Sequence, residues 1–122
     1  MIDVILCIRR RDDVTLEDFH LYWQDHHAAL VKRHADKLGV RSYVQHHTVA
    51  TGLESLAQGD RGCPPDVYDG VAVITRDSLD DMAAMGAQPD ALAAAAELSE
   101  DERRFIDHGQ SRIWFAEHLQ VV

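Results

Sequence analysis

The alternation of apolar and polar positions divides the chain into short strands and amphipathic helices. Alternating or continuous apolar runs predict strands, and apolar residues at spacings of three and four predict helices. One helical stripe contains six such side chains: Leu16, Phe19, Trp23, His27, Leu30 and His34. The predicted elements are, in order, strand 2–10, helix 12–38, strand 40–50, strand 68–75, helix 77–87 and strand 111–118.

Local signals mark where these elements begin and end. Thr15 can accept hydrogen bonds from backbone N–H groups and is expected to cap the first helix, which Gly39 should end. Asp77 or Ser78 is a suitable cap for the second helix. The segment 51–67 is rich in Gly, Pro and Asp and is predicted to be a long connecting loop.

The order β-α-β-β-α-β, with an extra helical segment before the last strand, is the ferredoxin-like pattern. It predicts an α+β fold with one antiparallel four-stranded sheet. The first and third strands are central in that topology, and 2–10 and 68–75 are apolar on both alternating sets, as central strands should be. A chain of 122 residues is expected to form a single domain, 1–122.

The predicted sheet has one face that the helices leave uncovered. Leaving an apolar face in water costs about 25 cal/mol of free energy for each Å² of apolar surface, so we expect the face to be covered. The simplest cover is a second copy of the same sheet, which predicts a homodimer enclosing a chamber. An apolar ligand or a folded-over tail would also cover this face.

Composition narrows the classes of partner. A formal net charge of −9 argues against nucleic acid and anionic membrane surfaces, which favour basic proteins. No apolar run is long enough to span a bilayer and no signal-peptide pattern is present, so we expect a cytoplasmic protein.

Cys7 and Cys63 are the only cysteines. We expect no disulfide in a reducing compartment. Cys63, in a loop, is the more accessible thiol and a minor candidate for a catalytic one.

The second predicted strand, 40–50, contains two adjacent histidines, His46 and His47, which must point to opposite faces of the sheet. One alternating set contains the valines expected against the helices, and His46 belongs to it. The other set contains Tyr43, Gln45 and His47, a polar row suited to the wall of an apolar chamber. His47 is therefore the functional candidate, and a structural histidine bonded to a neighbour is the alternative.

Other candidate groups are weaker. The chain has eight histidines but no HExxH or CxxC motif, and the spacings between its helical histidines do not favour a shared ligand set, so we expect no metal. Asp107 precedes the last strand and could orient a histidine for acid–base chemistry. A solvated carboxylate, or one paired with Arg103 or Arg104, is the alternative for Asp107.

Four stretches together resemble the EthD family of the dimeric α+β barrel superfamily: "IRRRDDVTLEDFHLYWQDHHAALV" (8–31), "YVQHH" (43–47), "YDGVAVI" (68–74) and "DERRFIDHGQS" (101–111). In this resemblance His47 falls on the family's usual histidine, and His46 takes the place of its usual asparagine. His27 falls on the histidine of the helix motif, although the Gly-Pro or Ala-Pro that often follows is missing. The resemblance also implies a dimer.

The resemblance implies a function in looser terms. EthD proteins occur beside ether-degrading oxygenases, and similar proteins in polyketide and aromatic pathways are described as dehydratases, decarboxylases or cyclases. We therefore expect a lyase or isomerase type of enzyme, using no cofactor, that acts on a small aromatic, polyketide-like or lactone substrate. The expected roles are general acid/base for His47, second proton carrier for His27, orienting carboxylate for Asp107, and substrate contacts for Tyr43, Trp23, Tyr68 and Gln45.

Two other functional classes stay open. The family's setting also fits an oxidoreductase or an oxygenase-accessory protein, and an apolar chamber with few polar groups fits a non-catalytic binding protein for a small apolar or aromatic molecule. No dinucleotide, P-loop or flavin motif is present. Haem remains open as a cofactor, because one histidine suffices as its proximal ligand.

Overall fold

Four strands form one antiparallel sheet, and helices pack on one of its faces in the computed structural model, which describes residues 1–122. The elements are β1 (Ile2–Ile8), α1 (Leu16–Leu21), a π-helical segment (Tyr22–His27), α2 (Ala28–His34), β2 (Ser42–His47), α3 (Glu54–Arg61), β3 (Gly70–Arg76), α4 (Leu79–Gly86), α5 (Pro89–Glu102), a 3-10 turn (His108–Gln110) and β4 (Arg112–Glu117).

The strand order is β2-β3-β1-β4, and every pairing is antiparallel. β1 pairs with both β3 and β4, so the first and third strands are central. This is the ferredoxin-like arrangement, and it confirms the predicted fold class and the central positions of the first and third strands. The boundaries of the strands differ from the predicted ones by up to three residues.

The predicted single helix 12–38 is interrupted by the π-helical segment. Thr15 caps α1 as expected, since its hydroxyl accepts a hydrogen bond from the backbone N–H of Asp18 at 3.1 Å. Within the π-helical segment the chain winds more loosely, and the N–H of Ala28 donates to the carbonyl of Trp23, five residues back. This winding keeps Trp23 and His27 on the buried side of the helix. Such π turns are rare and often lie at functional sites.

The segment 51–67 is not a structureless loop, so this prediction was wrong. It contains α3, which ends at Gly62 in the left-handed conformation with φ of 68°. The Glu54 carboxylate accepts hydrogen bonds from the backbone N–H and the hydroxyl of Thr51 at 2.7 and 2.9 Å. No residue of α3 is buried, so the helix depends on local capping and has no apolar stripe to reveal it in the sequence.

The core lies between the sheet and the first helical region. Its largest fully buried side chains are Trp23, Phe19, Phe105 and Ile8. The Trp23 indole packs so closely on β3 that a Cβ placed on Gly70 would lie 2.5 Å from the ring. Glycine is therefore required at this position for the indole to reach its site.

The two faces of β2 are the reverse of the predicted ones. Gln45 pairs with Ala72 and His47 with Gly70, and these β3 residues also pair with the buried positions of β1. Residues that face each other across a sheet share a face, so the polar row of β2 points toward the helices. The chamber position that we predicted for His47 is therefore wrong. The physical reason is that the helical segment supplies polar partners for this row, Trp23 for Tyr43 and Gln45, and His20 for His47.

The open face of the sheet is apolar along its centre. Val44, Val73, Ile5 and Trp114 form a row across all four strands, and no helix covers it. Trp114 is 47% exposed and Val44 44% exposed. His46, not His47, is the histidine on this face. None of the helices combines the length and apolar composition that crossing a membrane requires.

Candidate functional site

A hydrogen-bonded network lies on the helix-covered face, beneath the π-helical segment. The Tyr43 hydroxyl accepts from the Trp23 indole N–H at 2.9 Å and from Gln45 Nε2 at 3.2 Å. Gln45 Nε2 also donates to the carbonyl of Trp23 at 2.9 Å. A carbonyl can only accept, so this bond fixes the orientation of the Gln45 amide and directs its Oε1 toward His47.

The amide orientation in turn fixes the protons on two histidines. His47 Nε2 lies 2.8 Å from Gln45 Oε1 and must donate to it. In a neutral His47 the Nδ1 is then an acceptor, and it lies 2.8 Å from His20 Nδ1, which must donate. His20 Nε2 is left as an unprotonated nitrogen, buried and without a partner. Burial and, secondarily, the neighbouring His20 lower the pKa of His47, which favours this neutral pair.

Aromatic packing holds the network in place. The ring centroids of Trp23 and His47 are 4.6 Å apart, and those of His20 and His47 are also 4.6 Å apart. Phe19 packs against both Trp23 and His20. The imidazoles therefore have little rotational freedom.

A second histidine is oriented by a buried carboxylate. His27 Nδ1 lies 2.8 Å from Asp101 Oδ2, and the Tyr22 hydroxyl donates to Asp101 Oδ1 at 2.5 Å. His27 is 4% exposed and Asp101 6% exposed. Burial alone would raise the pKa of Asp101, but the hydrogen bonds from Tyr22 and His27 outweigh it and lower the pKa. Burial and the bond to Asp101 raise the pKa of Tyr22 to about 12.

His27 and Tyr43 both line an apolar cavity of about 60 Å³ between the sheet and the helices. The ionised Asp101 accepts the Nδ1 proton of His27, so a neutral His27 has Nε2 available as a base. The Tyr43 hydroxyl already accepts two hydrogen bonds and finds no acceptor for its own proton in the chain. Because burial raises the pKa of Tyr43, the phenol keeps that proton. A base and an acid thus border one cavity.

The structure brings most of the predicted site residues together. His47, Gln45, Tyr43 and Trp23 form the network, and Trp23 also lines the cavity beside His27. Tyr68 lies apart from both histidine groups. Its ring is covered by the Arg9 guanidinium at 4.7 Å from the ring centroid, and its carbonyl accepts from Thr48.

Asp107 is not the carboxylate that orients a histidine, which corrects the prediction. Its side chain accepts a hydrogen bond from Gln110 at 2.9 Å, because both residues belong to the tight turn before β4. The carboxylate in contact with His27 is Asp101, on α5.

Sequence analysis missed His20 and Asp101. His20 precedes Trp23 by three residues, so a shared helical face was a usable signal. Asp101 lies 74 residues from His27 in the chain, and nothing in the sequence links the two.

The cysteines are separate from the site. Cys63 is exposed and Cys7 half-buried, both are free thiols, and no three His, Cys, Asp or Glu side chains are grouped to hold a metal ion.

Comparisons with known proteins bear on this arrangement. The sequence profile of the EthD domain matches residues 11–109, a span that contains both histidine groups and Asp101. The chain belongs to the EthD family. No curated protein matches its sequence.

Solved structures similar to this EthD chain share its fold at low sequence identity. An ethyl tert-butyl ether D (EthD) family protein from Bacillus halodurans is 13% identical, with a TM-score of 0.64 over 98% of this chain and 99% of that one. HapK from Hahella chejuensis is 18% identical, with a TM-score of 0.60 over 98% and 93%. A dimeric protein of unknown function and ferredoxin-like fold from Bacteroides fragilis is 14% identical, with a TM-score of 0.58 over 96% and 95%.

Proposed function

We propose that this EthD protein is an acid–base enzyme that needs only its own side chains to move protons on a small, largely apolar substrate. The substrate class is aromatic, polyketide-like or a lactone, and the reaction is a dehydration, isomerisation or decarboxylation. The observation that carries the proposal is the Asp101-oriented His27 beside a cavity that Tyr43 also lines. An oriented imidazole and a protonated phenol are a general base and a general acid in reach of one bound molecule.

For an isomerisation or a dehydration, the proposed chemistry begins with proton removal from carbon. His27 Nε2 takes a proton from the carbon next to a substrate carbonyl, and Asp101 stabilises the imidazolium that forms. The Tyr43 hydroxyl donates a hydrogen bond to the carbonyl oxygen as that oxygen gains negative charge. His27 then returns the proton to the product of an isomerisation or to the leaving group of a dehydration. For a decarboxylation, carbon dioxide leaves, the electrons of the broken bond form an enolate, and protonated His27 supplies the proton that takes the place of the carboxylate.

We assign His47 a supporting role in place of the direct role expected from the sequence. Its imidazole holds Gln45, and Gln45 donates to the Tyr43 hydroxyl, so His47 positions the phenol. Its partner His20 has the buried, unpartnered nitrogen, which gives the pair a place to hold one proton. The Gln45 side chain is an amide and does not relay protons. His47 therefore affects Tyr43 only by fixing the position of its hydroxyl group.

Proton abstraction can be tested without knowing the natural product. A panel of small aromatic ketones, 1,3-dicarbonyl compounds and lactones, each with and without a carboxylate group, would be followed in D₂O by NMR for enzyme-dependent deuterium uptake at carbon. We expect uptake with at least one class, and a loss of about 10²–10⁴-fold in His27→Gln. His34→Gln is the matched control, because His34 is also buried against a carboxylate, Glu97, but does not line the cavity.

Three outcomes would contradict the proposal. These are no deuterium uptake with any compound, equal uptake by wild type and His27→Gln, and an equal loss in His34→Gln. Tight binding of a ring compound without uptake would favour the non-catalytic binding protein. Oxygen consumption with an electron-rich phenol would favour the oxidoreductase.

We further propose that the protein is a homodimer formed through the open face of the sheet. The apolar row of Val44, Val73, Ile5 and Trp114 supports this, because such a row is costly to leave in water. β4 adds Ile113, which is 65% exposed. A similar structure, the Bacteroides fragilis protein, is described as dimeric. Native mass spectrometry should find two chains per particle, and a single chain at high concentration would contradict the proposal.

A further inference from the structure

Arg76 lies at the end of β3, between the apolar cavity and a surface cleft of about 360 Å³. The cleft is formed by α4 and by the turn that precedes β2. Three residues line both spaces, so the cavity and the cleft adjoin at this point: Leu38, Val40 and Arg76. A ligand that extends from the cleft into the cavity would therefore pass beside Arg76.

The Arg76 guanidinium has no counter-ion. Its Nε donates to the carbonyl of Leu38 at 2.9 Å, and its Nη1 contacts the sulfur of Met82 at 3.6 Å. By contrast, Arg41 in the same cleft pairs with Asp77 at 2.6 Å. Burial lowers the pKa of Arg76, which means that its charge costs free energy where it stands. A half-buried cation without a partner is stabilised by a bound anion.

The remaining charges around Arg76 do not supply that anion. Asp36 and Asp81 line the cleft, and neither forms an ion pair with Arg76. On the cavity side the only carboxylate is Glu102, which is paired with His108 at 3.0 Å. Arg76 thus keeps at least one N–H group, at Nη2, free for a bound anion.

The cleft wall combines charged side chains with an apolar, adaptable part. Met82 and Met85 contribute unbranched thioether side chains, which adjust to the shape of a bound molecule. Met85 packs on Gly39 so closely that a Cβ there would lie 2.6 Å from its sulfur. The cleft has the volume of a small-molecule site. The cavity is about as large as two water molecules in the liquid and would hold only the reacting end of a ligand.

We propose that the substrate of the proposed reaction is a small apolar keto acid, whose carboxylate binds Arg76 while its apolar body packs on Met82 and Met85 in the cleft. Its ketone then lies at the cavity that His27 and Tyr43 line, so that His27 can take the proton from the carbon next to the ketone. This inference rests on the proposed function for the identity of the ligand as substrate. It assigns Arg76 as the residue that selects charged over neutral molecules.

Binding of a matched pair of probes tests the assignment. 1-Naphthoate and its neutral analogue 1-naphthamide would be titrated by calorimetry against wild type, Arg76→Gln, Arg76→Met and Arg41→Gln. We expect wild type to bind the acid at least tenfold more tightly than the amide, and both Arg76 variants to lose this preference. Arg41→Gln should keep it, because Arg41 is already paired with Asp77. Arg76→Met removes an unpaired charge and should fold even if Arg76→Gln does not.

The inference is overturned if wild type binds the acid and the amide equally, if it binds neither, or if the Arg76 variants keep the preference. His27→Gln separates this result from the proposed function. It should bind 1-naphthoate as wild type does while failing in deuterium uptake. If His27→Gln retains uptake and the Arg76 variants lose acid binding, the proposed reaction fails and the anion site stands.

Discussion

Gly70 lies where the backbone of β3 passes beneath the Trp23 indole. Because Trp23 holds both Tyr43 and Gln45 by hydrogen bonds, the position of its ring determines the geometry of the network. The glycine therefore supports the site although it has no side chain. His27 depends in the same way on Asp101, which removes the freedom of its ring and fixes the position of its proton.

Replacing Gly70 by alanine should lower the free energy of unfolding by about 1–3 kcal/mol, because the added Cβ would overlap the indole. Urea unfolding measures this change. Gly59→Ala is the control, because Gly59 lies on the exposed helix α3 with nothing within 4 Å. That variant should gain about 0.5–1 kcal/mol from the better helix propensity of alanine. Equal effects in the two variants would contradict the steric argument.

Asp101 should make stability depend on pH in acid. Its pKa is lowered in the folded chain, so the unfolded chain, with a carboxyl pKa of about 3.9, binds the proton first. The ionised Asp101 therefore stabilises the folded chain above about pH 4. This contribution to the free energy of unfolding is lost as the pH falls through the lower pKa that Asp101 has in the folded chain. Urea unfolding at a series of pH values should show a shallower acid loss in Asp101→Asn than in wild type. Asp107→Asn, whose carboxylate bonds only to Gln110, should keep the wild-type slope.

Among the helices and strands, the sequence predicted those that have a regular pattern of apolar residues. The apolar stripe from Phe19 to His34 and the central strands were confirmed, because each has a regular burial pattern. The π-helical segment could not be predicted, since one looser turn changes no residue type. The direction of the β2 faces was also missed. The rule that valines face helices failed because Trp23 and His20 satisfy a polar row there.

Helix α3 should be much less protected than α5 in native-state hydrogen exchange. None of its residues is buried, whereas α5 buries Ala91, Ala94 and Asp101. Local opening of α3 exposes little apolar area, so its amide protons should exchange orders of magnitude faster than those of α5. Amide-resolved exchange measured by NMR tests this. Equal protection in the two helices would mean that a partner or a ligand covers α3.

For the whole molecule, the fold and the need to cover one sheet face followed from element order and apolar pattern. The site did not follow to the same extent, because its decisive contacts join distant segments. His27 meets Asp101 from another helix, and Arg76 borders the cavity only because the turn near Leu38 folds over β3. A single sequence contains no signal for such pairs.

The proposed dimer makes thermal stability depend on concentration. Dissociation is coupled to unfolding, so the melting temperature of wild type should rise as protein concentration increases. Val73→Lys places a charge in the centre of the open face and should produce a monomer with a concentration-independent melting temperature. Leu92→Lys is the control, because Leu92 is 59% exposed on α5, outside that face. Calorimetry over a hundredfold concentration range measures both. A dimeric Val73→Lys would contradict the proposed interface.

The positions of the two tryptophans give the molecule two separate optical reporters. Trp23 is buried and packs against the His47 imidazole, whereas Trp114 is half-exposed on the open face of the sheet. Protonation of the imidazole pair would quench the emission of the inner indole, and pairing of the sheets would shift the emission of the outer one to shorter wavelength. A Trp114→Phe variant would thus report proton uptake through Trp23, whereas the shift to shorter wavelength on self-association of the wild type would come from Trp114.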